Sequence, residues 1–118
     1  MVFISHDLEV AFSICDKILV LYAGQIMEYG KKSKILNLPS HPYSKALIDS
    51  IPLLNNSYDV LPTIPGSLPN ALAKNTGCIF YSRCKYASHI CTLKKPELSS
   101  VEKDNLHLRS CFKPAREL

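Results

Sequence analysis

The run Ile18-Leu19-Val20-Leu21-Tyr22 constrains this chain more than any other stretch. Unbroken apolar residues between Asp16-Lys17 and Ala23-Gly24 read as a strand covered on both faces. Such a strand needs neighbours, because every buried backbone N–H and C=O must find a partner. The candidates nearby are few. Val2–Ser5 reads as a short buried strand ending at His6 and Asp7. Asp7 can cap a helix in which Leu8, Ala11, Phe12 and Cys15 recur at helical spacing as far as about Asp16. Ala23-Gly24 is a turn, Gln25–Tyr29 alternates as a return strand, and Gly30 closes the unit. The expected fold is α/β, with a β–α–β–β order. That set cannot supply all the partners a two-faced strand requires, so the sequence reads as the back part of a larger protein.

Further along, Ser33–Leu38 reads as a short helix, and Ser40-His41-Pro42 opens another, with proline tolerated in the first turn. Tyr43, Leu47, Ile51 and Leu54 form its apolar stripe, which leaves His41 as a helix start and not a ligand. Asn55–Asn70 carries Pro62, Pro65, Gly66 and Pro69 and reads as an extended linker. Beyond it the chain shows little periodicity but holds four of its five cysteines.

Composition narrows the function classes. A hydrophobic fraction of 47% with 20% charged residues is that of a folded chain, not a disordered one. The longest apolar run, Ile18–Ala23, falls far short of the ~20 residues that cross a bilayer. No basic stretch precedes an apolar block at the start, so a secretory signal is not expected and a cytosolic setting is. The net charge of +4 is concentrated late: residues 71–118 hold nine basic and four acidic residues. The tyrosines are scattered and no recognition helix with paired ligands is visible, which argues against nucleic-acid binding.

Two groups could carry chemistry. His6 falls at a strand's carboxyl end, where α/β sheets place ligand groups. An imidazole there can donate to a phosphate oxygen and steady an attacking water, or simply cap and pack. Cys78, Cys84, Cys91 and Cys111 are separated by five, six and nineteen residues. Disulfides do not fit a reducing compartment. A structural zinc site usually brings ligands in closely spaced pairs, and none exists here. A [4Fe–4S] cluster accepts wider spacing, and the neighbouring Arg83, Lys85, Lys94, Lys95 and Arg109 would offset its negative charge. Spacing alone leaves these open. His89 and His107 could replace one ligand, and Cys15 reads as a small core residue.

The string from Phe3 to Gly30 resembles the switch-histidine region of ABC-transporter ATPases, with His6, Asp7-Leu8, Asp16, the strand Ile18–Tyr22, and Gly24, Ile26, Glu28 and Gly30 at the motif positions. His41-Pro42-Tyr43 with Lys45-Ala46-Leu47, then Thr63–Gly66, the cysteine segment Gly77–Cys91, Pro96-Glu97-Leu98 and Cys111-Phe112, resemble the tail of oligopeptide and dipeptide importer ATPases, closer to the D-type subunit. Where that family often has proline after the first and second cysteines, this chain has Ile79 and Lys85.

The resemblance implies four parts. Residues 1–30 are the C-terminal end of an ABC nucleotide-binding domain, 31–54 a helical segment, 55–77 a Pro-rich linker, and 78–118 the four-cysteine, loop-rich tail. It implies that His6 contacts the γ-phosphate of ATP and acts in catalysis. It also implies that Cys78, Cys84, Cys91 and Cys111 can hold a [4Fe–4S] cluster. ATP and Mg²⁺ would be bound only by the complete nucleotide domain, because no G-x-x-x-x-G-K-[ST] loop and no acidic strand end are present here. The polypeptide alone is therefore expected to have no ATPase activity. Implied partners are membrane permease subunits, a second ATPase subunit and, indirectly, a peptide-binding protein, with the subunit peripheral on the cytoplasmic face of the inner membrane. No nucleic acid is expected. The alternative is a free-standing small iron–sulfur or zinc protein.

Overall fold

A computed structural model describes residues 1–51, 64–69, 76–101 and 103–113. Leu54 and most of the Pro-rich segment lie outside the described residues. Helix α1 (Leu8–Ile14) leads into strand β1 (Lys17–Tyr22) and strand β2 (Gln25–Lys31). Helices α2 (Lys32–Asn37) and α3 (Pro42–Asp49) follow. In the cysteine region come a 3₁₀ turn at Tyr81–Arg83, helix α4 (Ile90–Leu93), and strands β3 (Ser99–Val101) and β4 (Asp104–Arg109). The sheet is antiparallel in the order β1-β2-β4-β3. The fold is thus a mixed α/β unit around an antiparallel sheet.

Helix α1 begins where expected: the Asp7 carboxylate accepts from the Val10 N–H, 3.3 Å away, satisfying one of the orphan donors of the first turn. Phe12 and Cys15 face the core and are partly buried. The Ala23-Gly24 turn has positive φ at both residues, 48° and 80°, the twist that suits a two-residue hairpin.

Two expectations are corrected. Val2–Ser5 is not a strand. It is exposed coil, with Val2 and Ile4 at 89% and 90% exposure, because no adjacent strand within the described residues offers it backbone partners. Strand β1 is covered on one face only: Ile18, Val20 and Tyr22 are buried, while Leu19 and Leu21 are exposed. The tail also contains a β3–β4 hairpin that its weak periodicity did not announce.

The register of β1 against β2 slips between Val20 and Leu21: Val20 faces Glu28, but Leu21 faces Ile26. Met27 is the extra residue. A bulge lets two consecutive residues turn to the same side, and Met27 and Glu28 are both buried. Simple alternation would have set Glu28 on the face opposite Met27.

Ile18, Val20, Tyr22, Met27, Ile35 and Phe80 form one core cluster, so the cysteine region contributes its central aromatic residue. Phe80 packs edge-on to Tyr22 at 5.1 Å and tilted to Tyr43 at 5.2 Å. Arg83 braces this seam, donating through Nε to the Pro65 carbonyl, through Nη2 to the Ile64 carbonyl and through Nη1 to the Tyr22 hydroxyl.

Ala23 holds a left-handed conformation that an L side chain with a Cβ disfavours. Ala23→Asn should stabilise the hairpin by about 0.5–1 kcal/mol, because Asn tolerates that region better. A rise in the urea midpoint at unchanged m-value is the expected readout.

Candidate functional site

Cys78, Cys84, Cys91 and Cys111 line one cavity of about 360 Å³, together with His41, Pro42, Phe80, Tyr86 and Pro96. All four are free thiols. The first three are set by local turns: the Tyr81 amide donates to the Cys78 carbonyl, Cys84 to Tyr81, Ala87 to Cys84, and Cys91 to Ser88. The Cys78 amide closes the loop on the Cys91 carbonyl at 2.8 Å. That approach explains Gly77, where an added Cβ would lie 2.2 Å from the Cys91 carbonyl oxygen.

Backbone amides converge on the sulfurs. Phe80 and Tyr81 point theirs at Cys78, and Tyr86 at Cys84. The Lys113 N–H lies 3.4 Å from Cys111 Sγ, and the Ser88 hydroxyl 3.6 Å from Cys91 Sγ. The amide donors favour the thiolate. Burial works the other way and dominates: it raises the Cys78 and Cys111 thiols, and pushes Cys84 up to about 11. Neighbouring sulfurs of the group add to each rise: Cys91 and Cys111 at Cys78, the other three at Cys84, and Cys91 at Cys111. Among the described residues, no three His, Cys, Asp or Glu side chains stand close enough to chelate a single metal ion.

Beside the cavity lies a polar socket that sequence reasoning did not find. Glu28 is fully buried. Its Oε1 accepts from the Ser40 N–H at 2.9 Å, its Oε2 from the His41 N–H at 3.2 Å, and His107 Nε2 lies 2.5 Å from Oε1. His107 is thus committed to Glu28 and lines no part of the cysteine cavity. His89 is exposed at the start of α4 and lines none of it either. Arg109 adds a bond to the Ser40 carbonyl at 2.9 Å. The only hints in the sequence were a carboxylate inside an otherwise apolar hairpin and a histidine in the alternating stretch Leu106-His107-Leu108.

His41 caps α3 with its ring: Nδ1 accepts from the Tyr43 N–H at 3.0 Å. This requires a free Nδ1 lone pair, hence a neutral imidazole. Burial and the Arg109 charge lower its pKa to about 4, against the opposing pull of a hydrogen bond to the Ser110 backbone. His6 is exposed in the bend before Asp7 and does not line the cysteine cavity. The structure therefore brings the four cysteines together and leaves the histidine apart.

Comparison with known proteins bears on the whole chain. Residues 27–91, more than half of it, match the family described as "Oligopeptide/dipeptide transporter, C-terminal region". The chain belongs to this family. It is 44% identical, over its full length, to the "Oligopeptide transport ATP-binding protein OppD" of Salmonella typhimurium, of which it covers 34%. It is 41% identical over 99% of its length to the protein of the same name from Haemophilus influenzae, covering 35% of that chain. Over 82% of its length it is 39% identical to the "Dipeptide transport ATP-binding protein DppD" of Caldanaerobacter subterraneus, covering 30% of it. The chain thus spans about a third of the length of these curated relatives. The family match covers Met27, Glu28, Ser40, His41 and the first three cysteines, but stops short of His107 and Cys111. No described helix is long and apolar enough to cross a membrane.

The lowered His41 pKa fixes the sign of one pH effect. The folded state favours the neutral ring, so this contribution is full above about 6.5 and is lost as pH falls toward about 4. Wild-type stability should decline across that window with up to one proton's slope, ~1.4 kcal/mol per pH unit. His41→Asn, which keeps a capping acceptor without the titration, should flatten the decline in urea titrations at stepped pH.

Proposed function

We propose that this chain is the C-terminal portion of the ATP-binding subunit of a peptide importer, its first thirty residues closing the nucleotide-binding domain and the rest forming the accessory tail. The observation that carries the reading is the full-length match to ATP-binding proteins of oligopeptide transport, at 44% identity in one case. Exposed apolar side chains support it: Val2, Ile4, Leu19 and Leu21 stand uncovered, as they would where another part of a larger domain packs. In this reading His6 contacts the γ-phosphate of ATP and steadies the attacking water. The phosphate-binding loop, Mg²⁺ and the acidic strand end come from the remainder of the subunit. A second ATPase subunit completes the nucleotide sandwich. Closure acts on membrane permease subunits, fed by a peptide-binding protein, with the ATPase peripheral on the cytoplasmic face of the inner membrane.

The same reading assigns Cys78, Cys84, Cys91 and Cys111 to a [4Fe–4S] cluster. One shared cavity, amides aimed at the sulfurs and the nearby basic residues support it. When bound, the cluster would supply structural cross-links through four thiolate–iron bonds to a tail with little apolar surface of its own. The protein's part is to hold the sulfurs and exclude water.

The isolated chain should turn over no ATP above a His6→Ala control. Grafted in place of the matching third of the Salmonella protein, it should restore peptide import, and His6→Ala in that chimera should cut ATP turnover at least about a hundredfold. A folded chimera indifferent to His6 would reject the assignment. Anaerobic reconstitution with ferrous iron and sulfide should give visible thiolate–iron absorbance and about four irons per chain. Serine at position 78, 84, 91 or 111 should abolish it, and Cys15→Ser should not. Zinc uptake without such absorbance would reject the cluster.

A further inference from the structure

The four thiols of the cavity reach it by two routes. Cys78, Cys84 and Cys91 sit within one loop whose own backbone bonds hold it. Cys111 arrives from the far end of β4, whose outer edge carries its hairpin partner β3 and whose inner edge is seated on β2 and the residues entering α3. The ladder is short, with only Glu28 opposite Arg109 and Tyr29 opposite Leu108. After it, the Ser110 amide donates to the Met27 carbonyl at 2.9 Å and the Ser110 hydroxyl to the Ile26 carbonyl at 2.9 Å. Cys111 follows directly.

Glu28 holds the centre of this seam. It receives His107 from the arm and the Ser40 and His41 amides from the α3 entrance. His41 and Pro42 in turn form a wall of the cavity. Gly30 leaves room for the arm: a Cβ there would stand 3.1 Å from His107 Cδ2. The His41-Pro42 wall and the Cys111 arm of the cavity therefore both meet at one carboxylate.

We infer that Glu28 and His107 are positioning residues for the cysteine cavity: their contact delivers the fourth thiol and ties the cavity to the terminal hairpin of the nucleotide-binding portion. Neither residue lines the cavity. Each acts through the place it gives Cys111, His41 and Pro42. The consequence is a linkage in which anything that fills the cavity stiffens the β2–β4 seam, and loosening the seam frees Cys111 first.

Thiol alkylation and amide exchange on the 118-residue chain test this. In His107→Leu, iodoacetamide should modify Cys111 at least about tenfold faster than in the wild type, as loss of one hydrogen bond to a buried carboxylate permits. Cys15, outside the seam, should react at its wild-type rate and serves as the control for global loosening. His107→Gln, whose side-chain amide can still donate to Glu28, should restore most of the protection. Cd²⁺ alone, as a thiol-binding probe, should slow exchange of the Ser40 and His41 amides in the wild type and not in His107→Leu. Equal acceleration of Cys15 and Cys111, no rescue by glutamine, or Cd²⁺ protection that survives in His107→Leu would each overturn the inference. The alkylation arm does not depend on what the cavity holds, so it stands or falls separately from the iron–sulfur reading.

Discussion

A fully buried carboxylate organises this structure. Removing a charge-bearing side chain from water costs several kcal/mol unless its lone pairs are filled by well-placed donors. Glu28 meets that demand with three donors from two distant stretches: Ser40 and His41 at the start of α3, and His107 on β4. None of them is within ten residues of it in sequence. Satisfying one side chain therefore fixes where α3 begins, which strand lies beside β2, and how the chain after Arg109 is aimed. The bulge at Met27 is the device that turns Glu28 inward, and so the register slip in the hairpin and the docking of the tail are one constraint seen at two scales.

Apolar packing supplies what this polar seam cannot. The tail lends Phe80 to the hairpin's core, and the hairpin lends Tyr22 to the tail, with Arg83 hydrogen-bonded across the join. The region from Gly77 to Leu93 is built mostly of single turns, each contributing little burial. It keeps its shape because Phe80 is anchored from below and because Gly77 lets two backbones meet. Aromatic contacts set the loop's position, and local hydrogen bonds set its form.

What could be read in the sequence follows from the range of the forces involved. The α1 cap at Asp7, the Ala23-Gly24 turn and the start of α3 at His41-Pro42 depend on neighbours within four residues, and all three occur as expected. Strand β1 was misjudged on one face because apolar content does not say whether a cover is present; Leu19 and Leu21 face outward here. The expected strand at Val2–Ser5 failed for the same reason, since a strand exists only through partners. Glu28 and His107 lie 79 positions apart, and no local period encodes their meeting. The cysteines fall between these cases. Their spacing suggested a common site, and the cavity does gather them, but the delivery of Cys111 through β4 depends on that distant contact.

The thiols themselves are held under opposed demands. Burial and mutual repulsion favour the protonated form, strongly so at Cys84, while amide donors aimed at the sulfurs favour the thiolate. Donors that stabilise a thiolate become useful when a cation takes the proton's place, for then the desolvation that raised each pKa strengthens the attraction between sulfur and metal. Were a thiophilic centre to occupy this cavity, as proposed above, its binding would release protons and weaken as pH falls. The weakening should be steepest in acid, because the His41 ring in the wall of the same cavity becomes charged there and breaks the cap that holds Pro42 and α3 in place.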